Sequence, residues 1–320
     1  MITFSEATEE ERKIYYTQQW DPKNVPKFIT STIETREFAF DHEGLGPNDR
    51  YNQFLTVDSL SEYLKRSAPY AAYSSVSFYE IPKKREKWMG AELVFDVDAK
   101  DLPIKSCTCE GVTICEKCLS DAKEVALSVW DILKDDFSLS NIHMIYSGRG
   151  YHLRVQDKEV YEIKDRSYIL DYILAVHKKE YAKTISDLFT MYGYEKVFRN
   201  RLKYFLKNVT ERLLKKEGLR SDTIQKIISN KSSAIKSLEE NNAEEFQKSL
   251  GVGPKTFETV IDINARINAR LVDARVTIDV KRILRLPTSL HSKVSMICTY
   301  VASPEQFDPL KDAIPTFKLE

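Results

Sequence analysis

Two aspartates separated by one residue close an apolar run, Ala91-Glu92-Leu93-Val94-Phe95-Asp96-Val97-Asp98. Its β-type residues predict a strand, and alternate strand side chains share a face, so Asp96 and Asp98 leave on the same side. Carboxylates held that close repel unless a cation lies between them or one takes a proton. Mg²⁺ or Mn²⁺ suits an all-oxygen site of this kind. Taken alone, the pair reads equally well as two solvated acids at a strand end.

Four of the five cysteines fall just downstream, Cys107, Cys109, Cys115 and Cys118, spaced C-x-C-x₅-C-x₂-C. Four thiolates can enclose one tetrahedral Zn²⁺ and leave no open position, which makes such a site structural rather than catalytic. The fifth, Cys298, sits in an apolar run and reads as a core residue. The turn Ser147-Gly148-Arg149-Gly150 lies between Ile142–Tyr146 and Tyr151–Val155, two β-type runs. Its glycines permit positive φ and close approach of a ligand, and Ser147, Arg149 and backbone amides suit a triphosphate. His152 and Arg154 share one face of the returning strand. A last cluster, Arg282, Arg285, His291 and Lys293, is set among apolar residues, which makes an anion pocket more natural than a core or a loop.

The elements that must hold these residues follow from the periodicity. Residues 6–20 predict an amphipathic helix, broken by Pro22 and Pro26. Residues 35–40 and 50–54 predict a hairpin around the glycine-bearing turn 41–49, which would bring Arg36 near Arg50. A short helix is predicted over 59–67 and a strand over 73–79, pairing with the aspartate strand as its neighbour. Leu119–Phe137 has a helical apolar face through Val125, Val129, Ile132 and Leu133. Residues 160 to about 265 read as helical throughout. Within them, 195–236 holds twelve Lys/Arg against four Asp/Glu, a face for nucleic acid or a partner, or simply a solvated surface. Gly251-Val252-Gly253-Pro254-Lys255 weakly resembles a helix–hairpin–helix turn. Strands are predicted again over 274–280 and 294–301, and the proline-bearing tail 303–320 as irregular.

The 320 residues suffice for one large or two modest domains, and 42% hydrophobic with 30% charged residues predicts a folded chain. Lys+Arg and Asp+Glu balance at 48 each, so any basic surface must be local. No apolar run reaches the roughly 18 residues of a membrane span, and the first residues carry no signal-peptide pattern. A cytoplasmic protein without a membrane partner is expected.

Taken in order, V-F-D-V-D at 94–98, the cysteine knuckle, S-G-R-G-Y-H at 147–152 and D-x₂-V-T-x-D-V-K-R-I-L-R-L-P-x-S-L-H at 273–291 resemble the catalytic small subunit of archaeal and eukaryotic DNA primase. R-E-F-A-F at 36–40 also fits, and the archaeal form is the nearer one. The resemblance implies an α/β (α+β) primase core of two sheets flanked by helices, built from 1–158 and 266–320, with a zinc knuckle at 105–120; the helical stretch 159–265 reads as an insertion subdomain and is the region the resemblance covers least. It implies a DNA-dependent RNA polymerase making short primers on single-stranded DNA by two-metal nucleotidyl transfer, with dNTPs as further substrates beside NTPs.

The same resemblance assigns Asp96, Asp98 and a third aspartate to two Mg²⁺ or Mn²⁺ ions. Correspondence favours Asp273 for the third; periodicity does not separate it from Asp279. It places Ser147, Arg149, His152, Arg285 and His291 on the nucleotide phosphates, with Arg36 and Arg50 as a further matching pair. It also implies a large-subunit partner carrying an iron–sulfur cluster, for which this chain has no cysteines to spare. The alternatives are a primase-related repair or primer-extending polymerase, a two-metal nuclease, and a zinc-bearing nucleic-acid-binding subunit without catalysis of its own.

Overall fold

The computed structural model describes residues 4–109, 114–176, 184–240 and 242–319. Parts of the predicted knuckle (110–113) and of the predicted helical stretch (177–183 and 241) lie outside the described residues, as do the first three residues and the last.

Among the described residues, ten strands form a mixed α/β architecture. The first sheet has the order β2-β1-β3-β9: β1 (Phe38–Asp41), β2 (Asp49–Asn52), β3 (Ala71–Ser75) and β9 (Ile283–Arg285). A two-stranded ribbon joins β4 (Ser77–Ile81) to β5 (Glu86–Ala91). The second sheet has the order β10-β7-β8-β6: β6 (Leu93–Asp98), β7 (Ile142–Tyr146), β8 (Gly150–Val155) and β10 (Thr299–Val301). Every strand pair in these sheets is antiparallel.

The helices before the ribbon are α1 (Glu9–Ile14), α2 (Lys27–Thr30) and α3 (Val57–Ser67). The long α4 (Glu116–Asp135) buries Leu119, Ala122, Val125, Ala126, Val129 and Leu133 against Leu93, Phe95, Val97, Tyr151, Leu153 and Val155 of β6 and β8. These strand residues all have one parity. The other parity carries Val94, which packs with Val76 and Leu284, while Ile145 of β7 packs with Phe38 and Phe40. The second sheet therefore has its first face on α4 and its second on the first sheet. Asp96 and Asp98 belong to that second face.

Among the described residues, β8 is followed by α5 (Ser167–Ile173), α6 (Ile185–Thr190), α7 (Tyr194–Asn208), α8 (Glu211–Lys216), α9 (Ser221–Ser237), α10 (Ala243–Leu250) and α11 (Pro254–Asn268). Most of their buried residues form a core of their own, including Phe189, Phe198, Phe205, Phe246 and Phe257. Gly251 is left-handed at φ +69° and ends α10, and Pro254 opens α11, so the predicted hairpin turn does join two helices. The chain then returns through α12 (Ala274–Ile278) to β9 and β10, and ends with α13 (Pro309–Asp312).

Several predicted elements are corrected. Residues 274–280 are a helix and a turn, not a strand: Asp273 caps α12 by accepting the Arg275 N–H. The run 73–79 is split at Val76 between β3 and β4, which belong to different sheets. Its β4 half pairs with β5, whereas β6 pairs with β8; the two runs meet where Ser77 pairs with Ala91, where Glu92 N–H donates to Val76 C=O and where Val76 packs on Val94. The strand expected over 294–301 is confined to Thr299–Val301. Residues 6–20 contain α1 followed by a π-helical turn, Tyr15–Gln19.

Candidate active site

The register of β6 and β8 sets the geometry. Asp96 lies opposite His152 and Asp98 opposite Gly150. Asp96 Oδ1 is 3.4 Å from His152 Nε2, and Arg149 Nη2 donates to Asp98 Oδ2 at 2.7 Å. Both carboxylates remain about a quarter exposed (23% and 24%), enough for a ligand to reach them. Their electrostatics diverge. Burial pushes Asp96 up, but His152, helped by Arg285 and Arg149, brings it below the usual carboxylate value. Burial raises Asp98, and Asp96 adds to this; Arg149 offsets only part of it.

The turn that follows β7 depends on its glycines. Gly148 has φ +99°, and a Cβ there would lie 2.5 Å from the His291 Cβ. A Cβ on Gly150 would lie 2.1 Å from the Val97 carbonyl oxygen. Only glycine lets the turn press at once on the histidine and on the aspartate strand. Ser147 N–H donates to Gly150 C=O at 2.9 Å, and Arg285 Nη1 donates to the Ser147 carbonyl at 3.2 Å. His291 is buried, and its Nδ1 accepts the Lys293 N–H at 3.0 Å, which assigns the ring proton to Nε2. Burial, then Arg285 and Arg149, drive its pKa well below the ordinary value, so at neutral pH it is an uncharged donor.

One pocket of about 300 Å³ gathers Asp96, Asp98, Ser147, Arg149, His152, Arg285 and His291, residues drawn from three separate stretches of sequence. Tyr73, Gly44, Gly46, Ser292 and Lys293 also line it. Of these, only Lys293 stands out in the sequence, within the basic cluster. The Gly44–Gly46 wall is held by Asp41, which accepts the Gly44 N–H at 2.7 Å, the Gly46 N–H at 3.1 Å and the Ser292 hydroxyl at 2.7 Å. The spacing of Asp41 and Ser292, some 250 residues apart, carried no sequence signal.

Asp273 is beside the pair rather than in the pocket lining. Its N–H donates to the Asp96 carbonyl at 2.9 Å, so α12 starts against β6, and its side chain is exposed. Asp279 lies at the far end of α12, where it caps the turn to Lys281 and pairs with Arg282. The Asp273 backbone thus lies against Asp96, and Asp279 at the other end of α12.

Arg36 and Arg50 are not in the pocket. Arg36 is fully buried, with its guanidinium on Glu92, the Ser75 carbonyl and the Thr32 hydroxyl. Glu92 also binds Arg154 at 2.6 Å and Gln156. A nucleotide contact for Arg36 is therefore corrected to a buried structural role. Burial pulls Arg36 down to about 10, still charged at neutral pH. Arg50 pairs with Glu37 at 2.9 Å on the hairpin. Glu92, a lone acid in an apolar run, was the signal that a buried arginine would need a partner.

The four knuckle sulfurs lie within 4.8 Å of one another, the arrangement a tetrahedral Zn²⁺ needs. Cys115 caps α4 and Cys118 lies in its first turn. Asp121 of the same helix accepts from the Ser106 N–H at 2.7 Å, and Lys105 Nζ donates to the Cys109 carbonyl at 2.8 Å. The loop is thus tied to α4, immediately beyond Asp98. No helix among the described residues is long and apolar enough to cross a membrane.

In this mixed α/β fold an oxygen-only acid pair faces a serine, two arginines and two histidines across one pocket. A sequence profile of the DNA primase small subunit matches residues 95–303. The chain is 46% identical over 326 residues to the DNA primase small subunit PriS of Thermococcus sibiricus, covering 98% of this chain and 94% of that one. It is 44% identical over 330 residues to PriS of Methanothermobacter thermautotrophicus, covering 99% and 98%. Against PriS of Pyrococcus furiosus it is 42% identical over 332 residues, covering 98% and 94%. The chain belongs to the DNA primase small subunit family, in its archaeal form.

Proposed function

We propose that the chain is the catalytic subunit of a DNA primase, a DNA-dependent RNA polymerase that starts short primers on single-stranded DNA and also accepts dNTPs. The observation that carries this reading is the single pocket uniting Asp96 and Asp98 with Ser147, Arg149, His152, Arg285 and His291. Asp96, Asp98 and Asp273 offer only oxygen donors and fit Mg²⁺ or Mn²⁺. Two such ions, when bound, supply Lewis-acid activation of the primer 3′-hydroxyl and positive charge for the leaving pyrophosphate.

The chain's own residues do the rest. Asp96 is kept ionised by His152, ready to hold a cation at neutral pH. Arg149 keeps one donor on Asp98 and has a buried Nε without a partner among the described residues, so it can reach from the acids to a phosphate. Ser147 supplies a hydroxyl and the neutral His291 an Nε2–H to phosphate oxygens. Arg285 and Lys293 balance the charge of the triphosphate tail. Tying Gly148 against His291 fixes these donors before the nucleotide arrives.

The zinc fitting the knuckle is structural. The helices of 159–265 act as a subdomain beside the core of 1–158 and 266–320, supported by their own apolar cluster. The relatives' designation as small subunits supports a large-subunit partner. The family's iron–sulfur cluster then belongs to that partner, because only Cys298 lies outside the knuckle here. The test is synthesis from an unprimed single-stranded DNA template with Mg²⁺ or Mn²⁺, NTPs or dNTPs, with and without the large subunit. Short products starting without a primer support the proposal. Extension of annealed primers alone would point to a primer-extending polymerase instead.

A further inference from the structure

The β4–β5 ribbon carries an exposed aromatic and basic surface that the pocket chemistry does not use. Lys83, Lys84, Lys87, Trp88 and Met89 are all exposed, with Trp88 at 41%. The indole is not loose. Its Nε1–H donates to Ser77 Oγ at 3.0 Å, and Ser77 Oγ donates to the Val280 carbonyl at 2.7 Å. The ring edge is thus pinned while the residue stays exposed to solvent. Trp88, Lys84 and Lys281 line one groove with Tyr79 and Arg85. Lys83, Lys84 and Lys281 have no acidic partner among the described residues. The acids nearby are largely taken: Glu80 by Lys87, Asp279 by Arg282 and Glu37 by Arg50 and Arg85, which leaves Glu86 at the ribbon's end.

An exposed, anchored indole flanked by unpaired lysines matches the two features of a single nucleic-acid strand, a planar base and a row of phosphates. The groove and the pocket share no lining residue, but one stretch of chain leads from the first to the second. Lys281 in the groove lies four residues before Arg285 in the pocket, at most about 13 Å along an extended chain. From the same groove, α12 runs back to Asp273 and the Asp96 carbonyl.

We propose that this groove is the track for the single-stranded template, with Trp88 stacking a base and Lys84 and Lys281 contacting its phosphates. The proposal rests on reading the chain as a template-directed polymerase. It is tested by fluorescence anisotropy of a labelled oligothymidylate on the full chain, without nucleotide or divalent metal, over a salt series. Trp88→Ala weakens binding by roughly 5- to 140-fold, the usual worth of one stacked base, and Trp88→Tyr restores most of it. Lys84→Ala with Lys281→Ala lowers the slope of log affinity against log salt by about 1.4, since each single-strand phosphate contact contributes about 0.7. Binding of a fluorescent NTP with Mn²⁺ stays within twofold in both variants, which shows that the pocket is intact. Unchanged oligonucleotide affinity in Trp88→Ala, or an unchanged slope in the double variant, overturns the proposal. So does a wild type that ignores the oligonucleotide and binds an acidic peptide there. The titration involves no synthesis, so a wild type that binds through Trp88 but makes no product supports the groove and sinks only the polymerase reading.

Discussion

Replacing Glu92 with Gln should destabilise the protein sharply while leaving the nucleotide pocket of the folded molecule intact. Glu92 is fully buried and joins Arg36, Arg154 and Gln156, and its own carbonyl accepts from Arg166 Nη1 at 2.6 Å. Arg36 comes from the segment before β1 and Arg154 from β8, so this carboxylate links the two sheets electrostatically. Glutamine keeps the shape but leaves two guanidinium ions buried without a counter-charge. Removing one member of a buried ion pair costs about 3–5 kcal/mol. With an unfolding entropy of about 2.1 cal/mol/K per residue, a chain of 320 residues has about 0.7 kcal/mol/K, so Tm should fall by roughly 4–7 °C. The assay is thermal unfolding by circular dichroism, paired with fluorescent-NTP binding well below Tm. Arg36→Gln should behave alike, with a lowered Tm and nucleotide affinity within twofold. A Tm within 1 °C of wild type together with lost nucleotide binding would refute the structural reading and return Arg36 to the phosphates.

Acid adds a check on the same cluster. Arg154 and Arg36 overcome the burial penalty and hold Glu92 below its ordinary value near 4.5. A depressed carboxylate contributes stability that is present above the unfolded value and is lost as pH falls through the folded one. Wild type should therefore lose stability below about pH 4.5 more steeply than Glu92→Gln, as read by urea midpoints across that range. Gly148→Ala should displace His291, which its Cβ would meet at 2.5 Å, and weaken NTP binding at least tenfold with little change in zinc content; unaltered binding would remove the turn from the phosphate site. Thiol titration at pH 8 should find no reactive cysteine in the zinc-loaded protein, four after chelation and the fifth only on unfolding. Burial pushes Cys298 up to about 12, and it is fully buried. A thiol that reacts in the loaded protein would contradict the closed knuckle.

Much of the pocket was legible because its strands are short and their chemistry is local. The period-2 placement of Asp96 and Asp98 held, since β6 is flanked on one face by α4 and on the other by the first sheet. The two glycines of 147–150 marked a turn that only glycine can make. Residues 274–280 misled because Val276, Thr277, Ile278 and Val280 favour strands, whereas the Asp273 cap and its bond to Asp96 fix a helical turn there. Val76 interrupts a uniform β-type run, and a single residue at which a chain changes sheets leaves no periodicity to read. Arg36 was misplaced because its partner Glu92 is 56 residues away, beyond any local pattern. The walls contributed by Gly44–Gly46, Tyr73 and Ser292 depend on the same kind of long-range closure.

The proposed polymerase activity depends on Asp96 and Asp98. Asp96→Asn with Asp98→Asn should be compared with wild type for unprimed synthesis on single-stranded DNA with Mn²⁺, after circular dichroism has shown both to be folded. Loss of product by at least a thousandfold, with oligonucleotide binding retained, is the expected result. Product at more than a tenth of the wild-type rate would contradict the account and leave Asp96 and Asp98 as structural acids.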